Sequence, residues 1–390
     1  MLTQDRQVGL VRLELPIFVD PESFSMKIAI LGTRGIPNHY GGFEQFAEFF
    51  SVFLASRGHE VYTYCSANHP YKESHFRGVH LIHCKDPEDR IGTAGQFLYD
   101  LNCILDSRKR NFDIILQLGY TSSSVWYRLL PKKPVIITNM DGLEWKRTKF
   151  SRPVQRMLKW AEKLAVKSSD ALVADSLGIQ RHLQDVYGAT STYIAYGADL
   201  FTTPDEGILA EYDVVKEAYN MLIARLEPEN NIEMILDGVV EAQDPTPFLV
   251  IGKHETKFGA YLKSKFGGYP QIRFIGGVYN LNHLNNLRFF SKLYFHGHSV
   301  GGTNPSLLEA MASGALIAAH QNEFNASILR ANGLYFSQKA DVAALLTNTK
   351  KSDNLQRIQR NSEAIVQEFN WNSINEAYEQ LFFQLYHDRA

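Results

Sequence analysis

From Met26 onward, short runs of β-branched and apolar residues alternate with amphipathic helical segments. This alternation predicts parallel sheets with helices on both faces. In the first half the predicted strands are Lys27–Leu31, Glu60–Tyr64, Val79–His83, Asp113–Gln117, Val135–Thr138, Ala171–Ala174 and Thr192–Ala195. A turn-rich stretch follows at Tyr196-Gly197-Ala198-Asp199, with Pro204, Asp205 and Gly207 close behind. The alternation then resumes at Asn220–Ala224, Phe248–Ile251, Arg273–Ile275, Leu293–His296 and Leu316–Ala319. The economical reading is an α/β protein of two Rossmann-like, doubly wound parallel-sheet domains facing across a cleft. One domain is expected over residues 26–200 and the other over 201–370, with an N-terminal extension at 1–25. Residues 371–390 carry Ile374, Ala377, Tyr378, Leu381, Phe382 and Leu385 at helical spacing and predict a closing helix.

Bulk composition narrows this picture without redirecting it. A chain of 390 residues is long for one domain, and 45% hydrophobic with 21% charged residues reads as an ordinary soluble globular protein. No apolar run approaches the length that spans a bilayer, and residues 1–25 lack the order of a signal peptide. A net charge of −2 argues against the global positive field of a nucleic-acid binder. Cys65, Cys84 and Cys103 include no CxxC pair and read as buried, reduced thiols of a cytoplasmic protein.

Candidate chemistry concentrates at predicted strand ends, where ligands of such sheets bind. The run from His296 to Gly314 passes from a loop of small and polar residues into a short helix. Asn304 suits its N-cap, Pro305 its first position and Gly314 its end. Free N–H groups at Ser306 and Leu307 would then favour an anion, and Glu309, one turn on, would accept from neighbouring hydroxyls. A nucleotide-sugar diphosphate and its ribose require that combination. Gly32 to Gly42 form a second glycine-bearing loop, ahead of a helix expected to bury Phe43, Phe46, Ala47, Phe50 and Leu54. Its spacing is not GxGxxG and the second strand ends without a ribose-binding acid, which disfavours a nicotinamide dehydrogenase.

Arg225 ends the first strand of the second half and suits a pyrophosphate, the alternative being a salt bridge to Glu227 or Glu229. Asp141 follows the fifth predicted strand; its alternatives are a role toward the substrate or pairing with Lys146 or Arg147. His296 and His298 make an H-x-H without a third clustered ligand, so no metal is expected, and His298 reads as a polar group of the donor pocket. Arg152, Arg156, Lys159, Lys163 and Lys167 fall on one helical stripe, preceded by Lys146, Arg147 and Lys149 and accompanied by Trp145, Phe150 and Trp160. Such a helix either rests on an anionic membrane surface or is a solvated face.

In this order, the pieces resemble retaining glycosyltransferases of family four, which have the GT-B fold. The likeness is nearest to the rhamnosyltransferase-like branch of bacterial surface-polysaccharide synthesis. It is carried by Gly32-Thr33-Arg34-Gly35-Ile36-Pro37, Tyr40-Gly41-Gly42-Phe43-Glu44, Asp141-Gly142-Leu143-Glu144-Trp145-Lys146-Arg147, Arg225-Leu226-Glu227-Pro228-Glu229-Asn230-Asn231 and the His296–Gly314 run. The resemblance implies a retaining, metal-independent hexosyltransferase without a cofactor, using a nucleotide-diphospho-sugar donor and a glycan or lipid-linked acceptor. It places the protein in the cytoplasm, peripheral to the inner face of the cell membrane.

Under the resemblance, Arg225 binds the donor diphosphate, Glu309 the ribose hydroxyls, and Gly41 and Gly42 form the loop near phosphate and acceptor. Asp141 orients an acceptor hydroxyl or stabilises charge at the anomeric carbon. Two positions depart from the family pattern. Asn230 replaces a lysine, making Lys253 the candidate second cation, and Gly301 replaces a glutamate. Sugar recognition is then expected from Gly302, Thr303, Asn304 or backbone groups, which fits a deoxy sugar such as rhamnose. Two rival functions are a GT-B-type nucleotide-sugar epimerase and a non-catalytic nucleotide-sugar-binding subunit.

Overall fold

The computed structural model describes residues 24–39, 41–147 and 150–389. Among them, eight strands form one sheet: β1 (Lys27–Leu31), β2 (Glu60–Ser66), β3 (His75–Phe76), β4 (Val79–Cys84), β5 (Ile114–Leu118), β6 (Val135–Asn139), β7 (Ala171–Ala174) and β8 (Thr192–Tyr193). Their order is β3-β4-β2-β1-β5-β6-β7-β8. Six more form a second sheet: β9 (Asn220–Ile223), β10 (Phe248–Ile251), β11 (Ile272–Gly276), β12 (Leu293–His296), β13 (Ile317–His320) and β14 (Leu334–Phe336), in the order β11-β10-β9-β12-β13-β14. Neighbours run parallel except β3 and β4. Each sheet reverses its winding beside its first strand, so crevices open at the carboxyl ends of β1/β5 and β9/β12.

Burial explains the strands. Ile28, Ala29 and Ile30 are fully buried in succession, as are Ile114, Ile115 and Leu116, and Phe248, Leu249 and Val250, the pattern of strands covered on both faces. The Gly42–Ser56 helix lays Phe46, Ala47, Phe50 and Leu54 on the first sheet, while Phe43 is only half-buried. Two strands escape the sequence pattern. β3 is a two-residue hairpin arm joined to β4 by Arg77-Gly78, both at positive φ, and β14 is a short edge strand.

The expected closing helix runs Trp371–Arg389 and returns to the first sheet. Trp371 stacks on Phe49 at 4.6 Å, Tyr378 packs on Phe46 and Phe50, and Asn139 donates to the Tyr378 hydroxyl at 2.8 Å. Of the expected N-terminal extension, residues 1–23 lie outside the described residues. Phe24 is folded in, its ring 5.0 Å from that of Tyr386, and Ser25 donates to Gly58 O.

Candidate active site

The loop after β12 leads into a helix over Pro305–Ala312. Asn304 Oδ1 accepts the Ser306 N–H at 2.9 Å, Pro305 occupies the first turn, and Gly314 takes a left-handed φ of 65° beyond the end. The cap corrects one expectation. The N–H groups of Ser306 and Leu307 are not free, because the Asn304 side chain takes the first and its carbonyl takes the second at 3.0 Å. Leu307 also turns its side chain into the core. Among the described residues no acceptor meets the N–H groups of Gly301 and Gly302, so the open donors lie upstream of the helix.

Glu309, half-buried one turn into the helix, is held by a residue the sequence reading missed. Arg288 is 1% exposed and donates through Nη2 to Glu309 Oε2 at 2.6 Å and to Ser306 Oγ at 3.1 Å. Its Nη1 reaches Asn285 Oδ1 at 3.0 Å, and the Tyr294 hydroxyl lies 2.9 Å from Ser306 Oγ. A buried guanidinium needs such pairing. One Glu309 oxygen is thereby fixed and the other carries no partner among the described residues.

His298 is half-buried, and its ring stacks on that of His296 at 4.3 Å. Burial, then the positive charges of Arg225 and Arg147, push its pKa down to about 3. His296 is lowered too, by burial and then by His298 and Arg288, and neither of its ring nitrogens has a hydrogen-bond partner among the described residues. Arg225 is exposed at the end of β9. Asn230, buried where the family pattern has lysine, donates to the Arg225 carbonyl at 2.7 Å and so shapes that turn. Lys253, after β10, is exposed with its ammonium 5.8 Å from the Tyr279 ring centre. No contact among the described residues joins it to Asp141 or His298.

The first domain presents Asp141 after β6 and Asp175 after β7. Burial pushes the Asp141 carboxyl up to about 6; Glu144 adds to the rise, whereas Arg147, Arg225 and a hydrogen bond with Asp175 oppose it. Arg147 binds Glu144 at 2.6 Å and stands 3.9 Å from Glu229 of the second domain. Asp175 was not singled out from the sequence, where it reads as an ordinary residue before the N-cap Ser176. It is fully buried, and its Oδ2 accepts the Thr303 N–H at 3.1 Å across the cleft. A Cβ on Gly302 would stand 1.9 Å from Asp175 Oδ1, which no side chain tolerates.

Gly41 caps the Gly42–Ser56 helix, and a Cβ on Gly42 would meet Pro305 Cγ at 3.4 Å. The glycine loop of one domain thus faces the helix start of the other. Tyr40, part of the same sequence motif, lies outside the described residues.

The basic stripe lies on the helix after the Asp141–Arg147 loop, and its Lys159 ammonium stands 4.9 Å from the Trp145 ring centre. Arg152, Arg156, Lys159, Lys163 and Lys167 are all exposed on the Arg152–Ser168 helix, and Trp160 beside them is 50% exposed. The inner face is anchored by buried Glu162, which accepts from Tyr120, Trp145 and Tyr187 and bonds His182 at 2.8 Å. Lys149 lies outside the described residues. Among those described, no helix is long and apolar enough to cross a membrane.

A family model described as a domain of unknown function (DUF1972) matches residues 25–199. No curated protein matches the chain. Among solved structures, sucrose-phosphate synthase from Thermosynechococcus elongatus superposes with a TM-score of 0.75 at 17% identity, over 93% of this chain and 100% of that one. HepE from Anabaena, in complex with UDP and glucose, gives 0.71 at 16% identity over 92% and 100%. A trehalose-6-phosphate synthase from Burkholderia multivorans gives 0.68 at 12% identity over 93% and 97%. At these identities the likeness establishes architecture: the chain has the GT-B fold, two Rossmann-like parallel-sheet domains facing each other.

Proposed function

We propose that this chain is a retaining glycosyltransferase that moves a sugar from a nucleotide-diphospho-sugar to a glycan or lipid-linked acceptor. One observation carries the reading: a loop with open N–H groups and a positioned Glu309 meets Arg225, His298, Asp141 and the buried Asp175 at one cleft. Support also comes from the architecture of HepE, whose structure holds UDP and glucose. In this reading Glu309 takes ribose hydroxyls, and Arg225 with Lys253 and the Gly301–Gly302 amides takes the diphosphate. The bond from the anomeric carbon to the phosphate oxygen breaks as the acceptor oxygen bonds that carbon from the same face. The acceptor proton passes to the departing phosphate. The protein's own task is then electrostatic, holding donors where negative charge grows and keeping water out. Asp141 faces the positive charge that develops on the sugar. Gly301 leaves the donor loop without a carboxylate for a sugar hydroxyl, so a deoxyhexose such as rhamnose is the donor to test first.

The exposed stripe from Arg152 to Lys167, with Trp160, fits an anionic membrane surface that carries a lipid-linked acceptor. The protein would then work in the cytoplasm at the inner face of the membrane.

Transfer from a panel of nucleotide sugars, with the anomeric configuration of the product read by NMR, tests the reading. Arg225→Ala is expected to lower kcat/KM by about 10²–10³, and Glu309→Gln to raise the donor KM by about tenfold. Full activity in both variants contradicts the proposal, as does inversion at the anomeric carbon. Epimer formation without an acceptor, or binding without turnover, assigns the site to an epimerase or a binding subunit instead.

A further inference from the structure

Glu309 does not set its own direction. It stands one turn into the Pro305–Ala312 helix, where an unrestrained glutamate side chain has several rotamers open to it. One of them is selected by Arg288, which comes from the neighbouring Leu281–Phe290 helix. Nη2 of Arg288 donates to Glu309 Oε2 at 2.6 Å and to Ser306 Oγ at 3.1 Å. Its Nη1 donates to Asn285 Oδ1 at 3.0 Å, an oxygen that also accepts from Ser313 Oγ at the end of the Glu309 helix. The Tyr294 hydroxyl meets Ser306 Oγ at 2.9 Å, and the Tyr294 ring centre lies 5.9 Å from the guanidinium carbon. The guanidinium is therefore fixed by Asn285, Ser306 and Tyr294 as well as by Glu309.

Burying this charge is costly. Arg288 is buried with its Nε–H unmet among the described residues, and Glu309 is its one carboxylate partner there. An apolar side chain of similar length would fill the space without that cost. What only the guanidinium supplies is a short, charge-assisted bond that pins one oxygen of Glu309. The other, Oε1, has no partner among the described residues, on a side chain that keeps 21% of its surface exposed.

We propose that Arg288 is a positioning residue for nucleotide recognition: it locks Glu309 in the pose in which Oε1 accepts the sugar hydroxyls of the nucleotide. A carboxylate ordered in advance pays no ordering cost when the ligand arrives, so the hydroxyl contact acts at full strength. This role rests on the reading of Glu309 as the acceptor for ribose hydroxyls. It adds that hydroxyl recognition fails when Glu309 is intact and Arg288 is replaced.

Calorimetry with paired ligands tests this. Uridine, guanosine, adenosine and thymidine diphosphates are titrated into the protein, each beside its dideoxy counterpart, which lacks the free sugar hydroxyls. Wild type is expected to prefer the hydroxylated ligand by at least about tenfold. Arg288→Met is expected to lower that preference to under about threefold, with affinity for the dideoxy ligand within about threefold of wild type. A merely structural arginine would weaken both ligands alike. Once Glu309→Gln is present, adding Arg288→Met is expected to change the preference by less than about twofold. Arg288→Gln, shorter and uncharged, carries the same expectation should Arg288→Met fail to fold. A wild-type preference that survives in these variants, or equal weakening of both ligands, overturns the role. Diphosphate binding by wild type without a preference for the hydroxyls overturns the ribose role of Glu309 and this inference with it. If wild type binds none of the ligands, the glycosyltransferase reading fails, and urea titration still decides the pairing: stability losses of Arg288→Met and Glu309→Gln that simply add overturn it.

Discussion

Burial, with two guanidinium groups close by, keeps the His298 imidazole neutral at physiological pH, so it offers stacking and hydrogen bonding but no charge. The same shift makes a stability prediction. In the unfolded chain this histidine titrates near 6.5, whereas in the fold it protonates only at about 3. Between those values the unfolded state binds more protons, so stability falls as pH drops below about 6.5. His296 pulls the same way. His298→Gln is therefore expected to shrink the loss of thermal stability between about pH 7 and 5, measured by calorimetry; an unchanged loss contradicts the assignment. At this scale the sequence was legible where the physics is local. Asn304, Pro305 and Gly314 declare a helix and its ends within a few residues. The cap's cost was not visible, because the side chain that starts the helix also consumes the N–H expected to bind the anion. Asp175 and Arg288 were invisible for a different reason: their roles come from partners far along the chain. The pair Gly301-Gly302 was a usable signal, since adjacent glycines announce a close approach without naming what approaches.

Among elements, strands buried on both faces were readable as continuous apolar runs, and β1, β7, β10 and β12 have the bounds their residues suggest. The two missed strands lack that signature. β3 is only His75–Phe76, and its Arg77-Gly78 turn lacks the Asn-Gly that marks tight hairpins; β14 is a short edge. The terminal helix was legible from its apolar spacing, but its destination was not. Its first residue, Trp371, is 6% exposed, stacks on Phe49, and lies so near Gly197 that a Cβ there would stand 2.6 Å away. Trp371→Ala is expected to cost about 3–5 kcal/mol in a urea titration, a loss under about 1 kcal/mol counting against this helix as the tie across the chain. The Arg152–Ser168 helix makes a separate prediction. Lys163→Glu with Lys167→Glu should weaken sedimentation with phosphatidylglycerol vesicles by at least about tenfold, leaving phosphatidylcholine unaffected. Equal binding by the variant and wild type contradicts a membrane role for the stripe.

For the whole molecule, the two sheets are joined by more than their linker. Thr303 holds Asp175, Arg147 approaches Glu229, Gly42 faces Pro305, and the terminal helix returns to the first sheet. Gly42 and Pro305, Asp141 and Arg225, and Asp175 and Thr303 therefore approach one another across the two domains, although they are far apart in the chain. Calorimetric titration of nucleoside diphosphates into the wild-type protein and Arg225→Ala reads the proposed diphosphate site without relying on turnover. At least one nucleoside diphosphate is expected to bind the wild type at about micromolar affinity and Arg225→Ala at least about tenfold more weakly, the loss of one charge-assisted phosphate contact. Binding of none of them, or equal binding by both proteins, would contradict the diphosphate site.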